Sequence, residues 1–451
     1  MVSALVWWVA TSWGANPKEV DPFEHLQAML APAPSAPAAV ASDAAAAEAY
    51  QAVVDRLAAS RTAGQEARAA CSWAALQAAQ ADGADLGAIT ATETDCLRRA
   101  TPSKGKGGKV DKAHKGANYM VDDAPGTVVR VFYGTDRVRD GEGYGGGPRC
   151  GADATPGDPA CLDTGVVEVN IPDTHKFGEV AGEMPPMWTF TPNPHVHLYV
   201  VGTDRLDHAA WTAALKADLA SSGRSAAFVY IHGYNNTFDS AAMRAAQMAY
   251  DLQFPGVPMM YSWGSAGNLP GYFADEKAVE VTVPHLRYYL ESAAQEAGVT
   301  EMHIVAHSMG NRAIAGLLRT IDDQGPLKGV TVKSLILAAP DVDAEVFKTE
   351  VAPRVGKLTS YAELYINEGD KALLASKLVH GDKPRAGAVP LEAEGIQTID
   401  ATSVGTDMLG HAYFGSVPAM LDDILATWAG KQPDQRAWLG QHGAHWAFEK
   451  H

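Results

Sequence analysis

The chain has 451 residues, 47% of them apolar and 20% charged, an ordinary balance that is ample for a large core. Its 36 Lys and Arg against 53 Asp and Glu give a formal net charge of −17, which argues against nucleic acid or an anionic membrane as main partner, since both call for a cationic surface. No uninterrupted run of 18 apolar residues predicts a spanning helix, and four cysteines without a C-x-x-C pair predict neither a disulfide-built scaffold nor structural zinc.

In chain order, residues 1–40 hold an apolar start, SALVWWVATSWGA from Ser3, and a Pro/Ala spacer, APAPSAPAAV. The start has the small residues of a secretory signal but no Lys or Arg before Lys18, so signal remnant and buried tail stand level. Residues 31–90 contain 25 alanines, and Tyr50, Val54 and Leu57 recur at helical spacing, so 41–100 reads as a helical hairpin packed on the main domain as an accessory layer. Residues 101–118 hold five Lys and four Gly and read as a solvated linker. Cys150 and Cys161 bracket the turn-rich loop CGADATPGDPAC, and Cys71 and Cys96 lie on the two hairpin helices. Two local pairs lean towards an exported protein over a cytoplasmic one.

The texture changes at Thr127. TVVRVFYGTDR, GVVEVNIP and HVHLYVVGT read as strands, followed by a helix from about Asp207. Buried strands and helices then alternate: AAFVYIHG, a helix near Ser240, VPMMYSWG, a helix near Asp275, EMHIVAHS, a helix from Asn311, SLILAAPD, a helix near Ala344, AELYIN, a helix near Ala372, and IQTIDAT. This order predicts an α/β domain over 119–430 whose mostly parallel sheet has helices on both faces. Ser416 is expected to cap a last helix with Pro418 in its first turn, and 431–451 reads as a polar tail.

The strongest chemical signal is Ala306-His307-Ser308-Met309-Gly310 between an apolar strand and a helix. Small residues flanking a serine permit the sharp strand-to-helix reversal of a nucleophile elbow. A serine hydroxyl needs a base, and the base an orienting acid, in the chain order Ser, acid, His. His411 follows the last predicted strand of the sheet and is the expected base; His380, in a charged loop, is the weaker candidate. Asp370 ends the penultimate strand and is the expected acid, with Asp343 one strand earlier as the alternative. Met309 and Tyr234 are expected to give backbone N–H groups to an oxyanion hole. Gly233 lets the Tyr234 loop approach, and His232 braces it. Trp263 and Tyr272 are candidate substrate-binding residues, with plain packing equally acceptable. His195 and His197 would share a strand face, but without a third ligand a surface or core pair is favoured over a metal site.

VFYGTDR, FVYIHGYNNTF, MYSWGS, the Tyr272-x-x-Asp275-x-x-Ala278 spacing, HSMGNR, LAAPDVDAEVF and the late His411 together resemble a bacterial α/β-hydrolase family of unknown function (domain of unknown function 900) grouped with esterases and lipases. The resemblance covers about residues 125–430 and implies the α/β-hydrolase fold and a serine hydrolase site. The expectation is therefore a carboxylic ester hydrolase working through an acyl-enzyme, with no metal or organic cofactor, on a small-molecule or lipid-like ester. An amidase or acyltransferase with the same triad, or a noncatalytic module of this fold, are the alternatives.

Overall fold

The computed structural model describes residues 126–449 except 152, 181–191 and 405–410, together with residues 51 and 54. Apart from residues 51 and 54, the hairpin, the linker and the Cys71–Cys96 pairing expected before residue 119 lie outside the described residues.

The described chain opens with β1 (Thr127–Thr135), the short hairpin β2 (Arg137–Asp140) and β3 (Gly143–Pro148), then β4 (Asp163–Ile171) and β5 (Tyr199–Leu206). A disulfide joins Cys150 to Cys161, whose Cα atoms lie 5.4 Å apart, and closes the loop between β3 and β4. The chain then alternates: α1 (His208–Ser222), β6 (Ala226–Ile231), α2 (Phe238–Asp251), β7 (Val257–Ser262), α3 (Tyr272–Val281), α4 (Val283–Gln295), β8 (Glu301–His307), α5 (Gly310–Gln324), β9 (Thr331–Ala338), β10 (Ala362–Ile366), α6 (Lys371–Val379), β11 (Ile396–Asp400) and α7 (Pro418–Trp428). Two short strands follow, β12 (Leu439–His442) and β13 (His445–Phe448).

Eleven of these strands form one sheet in the order β12-β13-β11-β10-β9-β8-β6-β7-β1-β4-β5. Pairing is parallel from β13 to β1 and antiparallel only at the two edges. The expected parallel sheet with helices on both faces is present. The period of two in each strand divides the core. In β6, Ala227, Val229 and Ile231 join the cluster under α1, α3, α4 and α5, while Phe228 and Tyr230 join the cluster under α2 and α7. Both faces are apolar because both are covered.

Four expectations change. The third predicted strand starts later, at Tyr199, so His195 and His197 lie in a turn and share no strand face. Near Ala344 the helix is a three-residue turn, continued by a π-helical stretch from Phe347 to Val351 and a final turn to Val355. Ser416 does not cap α7: Val417 holds that position with Pro418 in the first turn, and the Ser416 hydroxyl donates to the Ala412 carbonyl. The residues after 430, read as a polar tail, form β12 and β13, and β13 adds in parallel to β11.

One side chain holds that hairpin down. Arg436 reaches Glu363 at 2.5 Å and Asp423 at 3.0 Å, and all three are buried. Tyr365 donates to both carboxylates, Thr427 to Glu363, and Trp438 to Asp423. Burial alone would lower the guanidinium pKa, but Glu363 and Asp423 hold it above its ordinary value.

Candidate active site

β8 ends at His307 and α5 begins at Gly310, so Ser308 carries the turn between them, with φ at +52°. That left-handed conformation is costly for a residue with a Cβ and persists only where its surroundings enforce it. Here they do. The Ser308 N–H donates to Ala338 O at 2.9 Å, and Ser308 O accepts from the Asn311 and Asp341 amides at 3.1 and 3.2 Å. The Asn311 side-chain amide reaches Ala306, Ser308 and Ala338 carbonyls within 3.2 Å. Two glycines let the loop after β6 sit against this elbow. A Cβ on Gly310 would come 2.5 Å from His232 O, and one on Gly233 would come 2.8 Å from Ser308 Cβ.

Asp370 and His411 come together although 41 residues separate them. His411 Nδ1 lies 2.7 Å from Asp370 Oδ2. The other carboxylate oxygen of Asp370 accepts the Ala372 and Leu373 amides and so caps α6. One side chain therefore both starts a helix and binds an imidazole. His307, next to Ser308, fixes the backbone of the second histidine: its Nε2 lies 3.0 Å from His411 O, and the two rings are 4.6 Å apart. Burial, and then His411, hold the His307 pKa well below the usual imidazole value, so His307 is neutral and donates this bond.

The loop expected to carry the second oxyanion donor is braced from beneath. The Arg137 guanidinium donates to Ser262 Oγ, to the carbonyls of Gly145, Ser265 and Asn236, and lies 3.2 Å from His232 Nε2. His232 stacks on Trp263 with ring centroids 5.0 Å apart, and the Trp263 indole donates to His232 O at 2.7 Å. Burial, then Arg137, keep His232 neutral, with its pKa well below the ordinary value. Asp275 joins the loop to its neighbour by accepting from Ser265 Oγ and the Ala266 amide; burial raises its pKa to about 6. Burial likewise lowers Arg137 to about 10 and raises Asp136 to about 6.

The remaining candidates fall in different places. Trp263 is fully buried behind His232. Tyr272 is buried too: its hydroxyl donates to Asp341 at 2.5 Å, and its ring meets the edge of Tyr234 at 5.1 Å. Met309 has no exposure and forms the cap position of α5. The Asp343 carboxylate caps the turn at Ala344 by accepting the Glu345 and Val346 amides. His380 pairs with Glu276 at 2.6 Å. His195 faces Asp173 across an exposed 3.3 Å contact. Among the described residues no three His, Cys, Asp or Glu side chains cluster as metal ligands, and no helix is long and apolar enough to cross a membrane. Arg137 and His307 were not singled out from the sequence. His307 sits inside the elbow motif, which is the available signal for it; apart from Gly145, the partners of the Arg137 guanidinium lie 95 to 128 residues away.

Residues 207–427 match the model of a family described as alpha/beta hydrolase of unknown function (DUF900). No curated protein matches the chain.

Proposed function

Residues 207–427 of the chain belong to this α/β-hydrolase family, and on that premise we propose that the protein is a serine hydrolase that cleaves carboxylic esters through an acyl-enzyme on Ser308. The observation that carries this reading is the 2.7 Å contact between Asp370 and His411, beside a serine held at positive φ between strand and helix. His411 Nε2 takes the Ser308 proton as Oγ attacks the acyl carbon. The same proton then passes to the departing alkoxide, which leaves as the alcohol. Water, deprotonated in turn by His411, attacks the acyl-enzyme and releases the carboxylic acid, and His411 returns its proton to Ser308. Asp370 fixes the imidazole tautomer with its proton on Nδ1 and stabilises the imidazolium. The Met309 and Tyr234 N–H groups receive the oxyanion, and the positive end of α5 favours charge there.

A panel of aryl esters from two to sixteen carbons, run with Ser308→Ala, tests this. The variant should lose about 10⁴ to 10⁶ in kcat and fail to label with a fluorophosphonate, its fold intact by circular dichroism. Undiminished turnover in that variant, or no labelling of the wild type, would sink the mechanism.

A further inference from the structure

Apart from the Ser308 elbow, the molecule has a groove of about 720 Å³ between α3, the start of α4, α5 and the segments at 342–346 and 380–385. That volume suits a small organic molecule. Val283, Ala315, Val342 and Val346 give it an apolar floor, and neither Ser308 nor His411 lines it.

Most of the charges around it already have partners. Arg312 reaches Glu276 at 2.6 Å and donates through Nε to Asp341 O at 2.8 Å, and His380 also contacts Glu276. Arg319 pairs with Glu350 at 3.0 Å. Arg385 differs. It is 3% exposed, and its Nε and Nη2 are buried with no hydrogen-bond acceptor among the described residues. The carboxylate closest in charge terms, Asp341, stands 3.6 Å from Nε, and its oxygens already accept from Ser376 and Tyr272 at 2.5 Å. A guanidinium carries five donors in a planar fork, and leaving them bare in a buried site is unfavourable. Lys383 adds a second cation at the rim; its side chain is 68% exposed, and its nearest carboxylate contact among the described residues is Asp343 at 3.7 Å.

We propose that this groove binds an oxyanion carried on a short apolar body, with Arg385 taking the anionic head, Lys383 adding charge at the rim and Val283, Ala315, Val342 and Val346 receiving the chain. A carboxylate and a phosphate share the required chemistry, because each offers two oxygens to the guanidinium fork. The site goes beyond the hydrolase reading and does not depend on it.

The test is calorimetric titration of the full chain carrying Ser308→Ala, so that turnover neither helps nor obscures binding. Decanoate, decyl phosphate, inorganic phosphate and decanol are the probes. One or both anionic amphiphiles should bind at a single site, the tighter naming the head group. Arg385→Gln should weaken that binding at least tenfold, and Lys383→Glu, an exposed change that spares the core, at least threefold. Four results overturn the proposal: no binding of either amphiphile, unchanged affinity in both variants, decanol as tight as decanoate, or inorganic phosphate as tight as decyl phosphate. Should Arg385→Gln fail to fold, Lys383→Glu decides alone. Loss of ester hydrolysis in an active-site variant would leave this binding untouched, so the two readings fail separately.

Discussion

Arg137 and Arg436 are both almost fully buried, at 1% and 2% exposure, yet one meets carbonyl groups where the other meets carboxylates. Arg436 sits towards one edge of the sheet, between Glu363 of β10 and Asp423 of α7. Its two carboxylate partners belong to regular elements, so these bridges fasten scaffold to scaffold, and it also donates to the Lys431 carbonyl and the Tyr361 hydroxyl. Arg137 sits beside the elbow, and among the described residues no carboxylate accepts a hydrogen bond from it. Its acceptors are Gly145 of β3, Ser262 at the end of β7, and Asn236 and Ser265 in the segments that follow β6 and β7. Paired charges balance burial at the edge. Near the elbow a single buried cation is spread over neutral groups and holds loops in place. Arg436 is expected to serve stability, and Arg137 the alignment of the proposed site.

The largest effect expected at the elbow end is that of Asp370→Asn. The amide oxygen can keep the cap on α6, while the amide nitrogen turns a donor towards His411 Nδ1 and favours the wrong tautomer. The expected loss is about 10³ to 10⁴ in kcat with little change in melting temperature. An equal loss from Asp343→Asn with none from Asp370→Asn would move the acid one strand along the sheet.

At the edge, Arg436→Met leaves Glu363 and Asp423 buried without their cation. Denaturant unfolding should show a loss of about 3 to 5 kcal/mol, whereas kcat per folded molecule stays within about twofold. A kcat loss matching the stability loss would break the comparison. Arg137→Met should do the reverse. A displacement of the loops of about 1 Å lowers kcat about 10²-fold, with KM for a small ester changed less and a modest loss in unfolding free energy. A stable Arg137→Met enzyme with full kcat would remove the alignment role.

The smallest expected effect is a pH step. Asp136 has a folded-state pKa near 6, above its ordinary 3.8, because burial disfavours its charged form more than Thr282 and Arg137 favour it. Between pH 4 and 6 the folded chain keeps a proton that the unfolded chain has lost. Its contribution is therefore complete below about pH 4 and is lost as pH rises through about 6. Relative to wild type, Asp136→Asn should gain about 2 kcal/mol between pH 4 and pH 7. A pH-independent difference would place the Asp136 pKa at its ordinary value.

Much of this molecule is legible in its sequence. Phe228, Tyr230, Ile231 and the β8 run Met302–Ala306 announce buried strands by composition, and the small-x-Ser-x-Gly turn declares itself locally. Asp370 and His411 followed from strand order, and the structure brings them together. What was not legible depends on partners distant in sequence. Nothing near Arg137 tells that its acceptors lie at 262 and 265, and nothing near Arg436 points to Glu363. The closing hairpin was missed for another reason. Its strands have four residues each and are half-exposed, so the alternation is too short to read, although Gly443 with φ at +62° marks its turn.

That hairpin also bears on how the molecule is made. Glu363 is translated 73 residues before Arg436, and Asp423 13 residues before it. Until Arg436 and the hairpin after it have been made, two carboxylates destined for the interior lack that cation, and β11 presents an unpaired edge. The Ser308 elbow and its bracing loops are by then already synthesised. A nascent chain that has made the elbow but not yet β13 therefore carries one open border, a state that invites chaperone contact or strand exchange with a neighbour and is closed when β13 adds to the sheet.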